Sequence, residues 1–166
     1  MAELFTHVLV AFAVAVVLSW RFDAVSRPMI PVAMVGAAIP DLNRIDLIVP
    51  EETITAVTGI PWSWAIFHRA GGALLVIAII ALLVRREHRG PVVAMLVLGV
   101  ASHFVLDYFL WQPTGETRLM LWPFLDLRLE YQGFYRSTDQ WTAIVAAAIA
   151  GIVLVIDRTV VADRDS

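Results

Sequence analysis

Ser102-His103-Phe104-Val105-Leu106-Asp107-Tyr108 sets an imidazole and a carboxylate four residues apart near the end of an apolar run, Gly90–Leu106. Four residues is about one helical turn, so the two side chains share a face. The surroundings decide how the pair is read. In a soluble core it would be a hydrogen-bonded tie between helices. In lipid, ionisable groups are expensive and mark a site by default.

The rest of the chain points to lipid. It has 166 residues, 60% of them hydrophobic and only 16% charged, with mean hydropathy +0.78. Soluble domains are about 45–50% apolar. Uncharged runs recur at Leu4–Trp20, Pro28–Pro40, Thr53–Phe67, Ala70–Val84, Gly90–Leu106 and Gln140–Ile156. Most fall short of the ~20 residues that span a bilayer, which implies helices that continue past inward-facing polar residues. The fold class expected is all-α: a polytopic transmembrane bundle of about five helices in one domain, 1–166. The helices are placed at 3–20, 28–39, 64–84, 91–111 and 140–157, with a short interfacial helix around 52–58. Leu4–Trp20 lacks a basic N-terminal flank and is followed by Arg21 and Arg27, which reads as a retained helix, not a secretory signal.

Arg85, Arg86 and Arg89 form one basic loop, and Arg21 and Arg27 flank another. Basic loops face the cytoplasm, so the N-terminus, 41–63 and 112–139 are expected on the outer side. Five of the six tryptophans, at 62, 64, 111, 122 and 141, fall at those outward ends, as an interfacial belt does. Arg118, Arg128 and Arg136 oppose this orientation. Ala143, Ala147 and Gly151 recur at four-residue spacing, which suits close helix packing.

With helices alternating in direction, His7, Asp41, His68, His103 and Asp107 all fall on one side of the membrane. These five are the candidate metal-site residues, and Asp41 and Asp107 are the candidate catalytic carboxylates. Each also has a structural reading. Asp41 suits a helix-terminating turn, His68 and Arg69 an interfacial position, and the His103–Asp107 pair a tie between helices. Asp46 reads as a loop charge, and Arg44 as a partner for an acid or a phosphate. Gly71 and Gly72 invite close approach of another helix or a ligand. His88 lies on the opposite side. There is no cysteine, so a thiolate site is excluded. Imidazole with carboxylate suits zinc, manganese or iron, and a bound metal would activate water against an ester or phosphoryl group. The basic residues are few and scattered, so no nucleic-acid partner is expected.

At these residues the chain resembles the YdjM-like family of membrane-bound metal-dependent hydrolases. The matching pieces are His7, Ile39-Pro40-Asp41, the His68 element, Ser102-His103-x-x-x-Asp107 and Leu121-Trp122-Pro123. That family is distantly similar to the zinc-dependent phospholipase C group. The resemblance implies one metal on Asp41, His68, His103 and Asp107, and a second shared by His7 and Asp107. Two positions depart from the family pattern: Asn43 stands where it has an acid, and His68 is one histidine where it has two.

The function expected is hydrolysis of a phosphoester or lipid-derived substrate, with membrane lipid as partner. Two alternatives stand beside it: a non-catalytic metal-binding or scaffold membrane protein with a decayed site, and a small ion- or proton-coupled transporter.

Overall fold

The computed structural model describes residues 2–23, 25–112, 120–126 and 133–164. Every named element among them is helical. The α-helices are α1 (Ala2–Ser19), α2 (Ile30–Ala38), α3 (Glu51–Thr58), α4 (Ala70–Leu83), α5 (Arg89–Tyr108) and α6 (Gln140–Arg164). Four 3-10 segments join them, at Arg27–Met29, Pro40–Leu47, Trp64–His68 and Arg86–His88. An isolated parallel bridge pairs Leu110 with Tyr135. The all-α expectation holds.

Two helices are long and apolar enough to cross a membrane: Arg86–Tyr108, counted with its 3-10 start, and Gln140–Thr159. Leu4–Ser19 and Ala70–Leu83 are apolar but shorter, and α2 rises only about 14 Å. Large apolar side chains cover the outside, with Leu83 at 83% and Ile144 at 69% exposure. An apolar surface this extensive marks contact with lipid or protein.

α5 is the organising helix. It packs on α2, α1 and α4, while α6 packs mainly on α1. Gly36 and Gly99 meet where α2 crosses α5. A Cβ at Gly99 would run into the Ala33 carbonyl and the Ala37 amide, and one at Gly36 into the Leu96 backbone. Only glycine permits that approach, the usual device for close helix contact in lipid. One apolar cluster joins Ala15 and Val16 of α1 to Ile30 and Ala33 of α2, Met95 of α5 and Val153 of α6. Another joins Ala73 and Ile77 of α4 to Leu96 and Val100 of α5.

The helix expected over 64–84 is broken. Trp64–His68 is a 3-10 turn, capped where Ser63 Oγ accepts from the Ala65 N–H, and Arg69 is extended at φ −124°, ψ 151°. The break is supported from outside the helix. Ala70 N–H donates to Met120 O at 2.6 Å and Gly71 N–H to Trp122 O at 3.0 Å, satisfying N-terminal amides that lack an intrahelical acceptor. Gly71 and Gly72 do admit close neighbours, but these are Pro123 and the Ile66 carbonyl of the same chain. α5 stops at Tyr108 instead of 111, where the following segment pairs with 133–135: Trp111 N–H donates to Tyr135 O and Phe134 N–H to Phe109 O. α6 runs beyond 157. The interfacial helix is α3, closed by Gly59 at φ +68°. Arg118 and Arg128 lie outside the described residues.

Candidate metal centre

The chain turn that ends α2 prepares the site. Pro40 has no N–H with which to continue the α-helical ladder, and the backbone tightens into the 3-10 segment Pro40–Leu47. Two carbonyls of this turn receive imidazoles from elsewhere. His103 Nδ1 lies 2.7 Å from Ala37 O, and His68 Nδ1 lies 3.2 Å from Pro40 O. A carbonyl oxygen only accepts, so each Nδ1 carries the hydrogen and each neutral ring keeps its lone pair on Nε2. The Gly36–Gly99 crossing is what brings His103, one turn beyond Gly99, within reach of α2.

Asp107 is the hub. Its Oδ2 lies 2.5 Å from His68 Nε2 and 3.6 Å from His103 Nε2, and its Oδ1 lies 3.2 Å from His7 Nε2. The His7 ring stacks on His103, with centroids 3.7 Å apart and planes at 18°. His68 meets His103 edge-on at 5.2 Å. His103 is fully buried, and His7 and Asp107 are nearly so. His68 Nε2 facing a carboxylate oxygen sets two acceptors against each other, and at 2.5 Å the contact needs a proton between them, being shorter than the ~3.3 Å that separates two ligands of one tetrahedral zinc. Asp41 joins from the turn. Arg44 Nε donates to its Oδ1 at 3.0 Å.

Among the described residues, four buried polar atoms at this end lack a hydrogen-bond partner: His7 Nδ1, Asp41 Oδ2, Asn43 Oδ1 and His103 Nε2. Buried polar groups are ordinarily satisfied. His103 Nε2 and Asp41 Oδ2 are lone-pair donors of the kind a divalent cation takes. Ligand atoms within 4.8 Å of one another form two triads, His7–His103–Asp107 and Asp41–His68–His103, with His103 common to both. The residues present can therefore hold a metal ion.

Magnitudes disfavour a purely structural cluster. An aspartate near the end of a membrane helix costs less than the ~3 kcal/mol of the helix centre, but burying it is still unfavourable. Interhelical hydrogen bonds in lipid average about 0.6 kcal/mol, so the two from His7 and His68 to Asp107 return roughly 1 kcal/mol. Four unpartnered atoms add further cost.

All five residues singled out from the sequence lie together. Their grouping is two overlapping triads, whereas the resemblance implied a four-residue centre plus a separate His7–Asp107 pair. Asp46 is outside the cluster; its Oδ1 accepts from the Glu51 N–H at 3.1 Å. The Arg69 guanidinium lies over the Trp122 ring at 5.4 Å, and His88 is exposed at the other end. Sequence reading missed the carbonyls of Ala37 and Pro40 and the Gly36–Gly99 contact. A glycine one turn before His103 was the available signal.

Residues 1–163 match a family described as YdjM inner membrane protein. No curated protein and no solved structure matches the chain.

Proposed function

The chain belongs to the YdjM inner membrane protein family, and on that premise we propose a polytopic, metal-dependent hydrolase acting on a phosphoester of a lipid-derived substrate. The observation that carries this reading is His103 Nε2, a lone pair oriented by Ala37 O, fully buried and without a partner. We assign His7, His103 and Asp107, one of the two triads, to the metal, zinc before manganese or iron, with His68 bracing Asp107 through Nε2. When bound, such an ion polarises a phosphoryl oxygen and lowers the pKa of water towards ~7.

The chain supplies the remaining parts. Asp41 Oδ2 is unpartnered while Arg44 holds Oδ1, so Asp41 is assigned to take the proton of the attacking water. The water oxygen bonds to phosphorus as the bond to the leaving alcohol breaks. The proton taken from water passes to the departing alkoxide, and the sum is phosphoester plus water to phosphate plus alcohol.

The topology proposed is multi-pass, with α1 and α4 joining α5 and α6 in the membrane and the 3-10 segments extending the short helices. Arg85 and Arg86 lie opposite the site, which supports the reading that the site faces the outer side. Among the described residues, the arginines at the site end are engaged: Arg44 on Asp41, Arg69 over Trp122 and Arg136 over Trp111. Because the chain has no cysteine, single cysteines at Arg86 and Ser137 report topology through an impermeant thiol reagent. Only the Ser137 position should react in intact cells.

The test of function is metal content with turnover. Purified wild type should hold close to one equivalent of metal and hydrolyse a nitrophenyl phosphodiester or a short-chain phosphatidic acid. Protein that carries no metal after purification and refuses added zinc, manganese and iron would end the reading. One observation favours a second reading, metal binding without turnover: the buried, unpartnered Oδ1 of Asn43 belongs to a neutral amide. Stoichiometric metal with no hydrolysis of either substrate would select it.

A further inference from the structure

A cavity of about 180 Å³ lies between α1, α5 and α6, lined by Thr6, Val10, Leu106, Trp141, Val145 and Ile149 among others. It adjoins the metal centre through the seam that His7 and Asp107 close, since Thr6 precedes His7 in α1 and Leu106 precedes Asp107 in α5. Two of its hydroxyls are committed to backbone carbonyls. Tyr135 O–H donates to Leu106 O at 2.7 Å, and Thr142 O–H to Asp139 O at 2.8 Å. The walls therefore offer hydrocarbon. The mouth opens where Val145 and Ile149, each 46% exposed, face outward.

We propose that this cavity takes one hydrocarbon chain of the amphiphile whose headgroup reaches the His–Asp cluster; the assignment rests on the hydrolase reading above. Size selects the occupant. Pockets for whole small molecules begin near ~300 Å³, and a helix is ~10 Å across, so neither a complete lipid nor a polypeptide segment fits. A single extended chain does. From Trp141 to Ile149 the wall runs eight residues, about 12 Å, from the interfacial tryptophan towards the interior. The polar end of the amphiphile then lies at the level of Tyr135 and Trp141, beside the seam.

The experiment uses the full chain in nanodiscs of phosphatidylcholine, with a lysophosphatidylcholine carrying a photoreactive group near the end of its chain. Labelling should fall on 141–149 and be saturable by unlabelled lysophosphatidylcholine. Val10→Trp, which fills the half-buried wall one turn beyond His7 in α1, should weaken competition by long chains about tenfold while sparing short ones. Val145→Phe, at the mouth, should weaken all lengths. Labelling that is unsaturable and spread equally over Ile144, Ile152 and Val155 would show bulk lipid only and overturn the proposal. His103→Ala separates the two readings: saturable labelling with metal lost upholds the chain site on its own, whereas wild type with full metal and no saturable labelling removes the chain site and leaves the hydrolase reading intact.

Discussion

At one end of the bundle Asp157 of α6 accepts from Trp20 Nε1 and from Arg27 Nη2, both at 2.7 Å on the same oxygen. At the other end Asp107 of α5 lies among three imidazoles, two of which also adjoin Asp41. Both acids are buried in apolar helices, and both tie the chain across long sequence separations. Their difference lies in completeness. Asp157 meets two donors, one a cation, and none of the buried atoms that lack a partner belongs to its cluster. Around Asp107 the donors are rings whose Nδ1 hydrogens are already committed to backbone carbonyls at His68 and His103. A closed polar cluster holds helices together; one that leaves lone pairs converging is built to accept something else.

The sharpest way to break this contrast is His103→Ala. It removes the atom common to both triads, so metal content measured by mass spectrometry should fall from near one equivalent to background. Retention of full metal would make the two clusters alike. Asp41→Asn comes next. Turnover should drop by about 10²–10⁴-fold, the usual range for losing a proton acceptor, with metal retained. A loss of metal along with turnover would move Asp41 from proton acceptor to ligand. Gly99→Leu attacks the crossing that positions His103. The added side chain meets the Ala33 carbonyl and the Ala37 amide, and overpacking of this kind costs about 2–3 kcal/mol. A fall in thermal midpoint in detergent together with weakened metal binding is expected. Asp157→Ala should have the smallest effect. Removing two hydrogen bonds at a partly wet helix end costs about 1 kcal/mol, seen as a modest shift in thermal midpoint with metal content unchanged. Metal loss from Asp157→Ala would show that the two ends are coupled.

Much of this was legible in the chain. The apolar runs located α1, α4, α5 and α6, because hydrophobic length is a local property. The one-sided placement of His7, Asp41, His68, His103 and Asp107 followed from helix alternation alone. The break at Arg69 was not legible. The apolar run around it favours a continuous helix, and the acceptors that replace helical ones at Ala70 and Gly71 come from residues 120 and 122, some fifty positions away. The tautomers of His68 and His103 were equally hidden, since they are set by carbonyls on another helix.

Sequence alone thus determined which imidazoles and carboxylates meet at one end of the bundle, because periodicity and hydrophobic length are properties of a few consecutive residues. Tertiary structure decided which nitrogen of each ring faces inward, which atoms are left without a partner, and that His103 belongs to both triads. Those depend on the contact of Gly36 with Gly99 and on the turn at Pro40, where imidazoles meet backbone carbonyls 66 and 28 residues away in sequence.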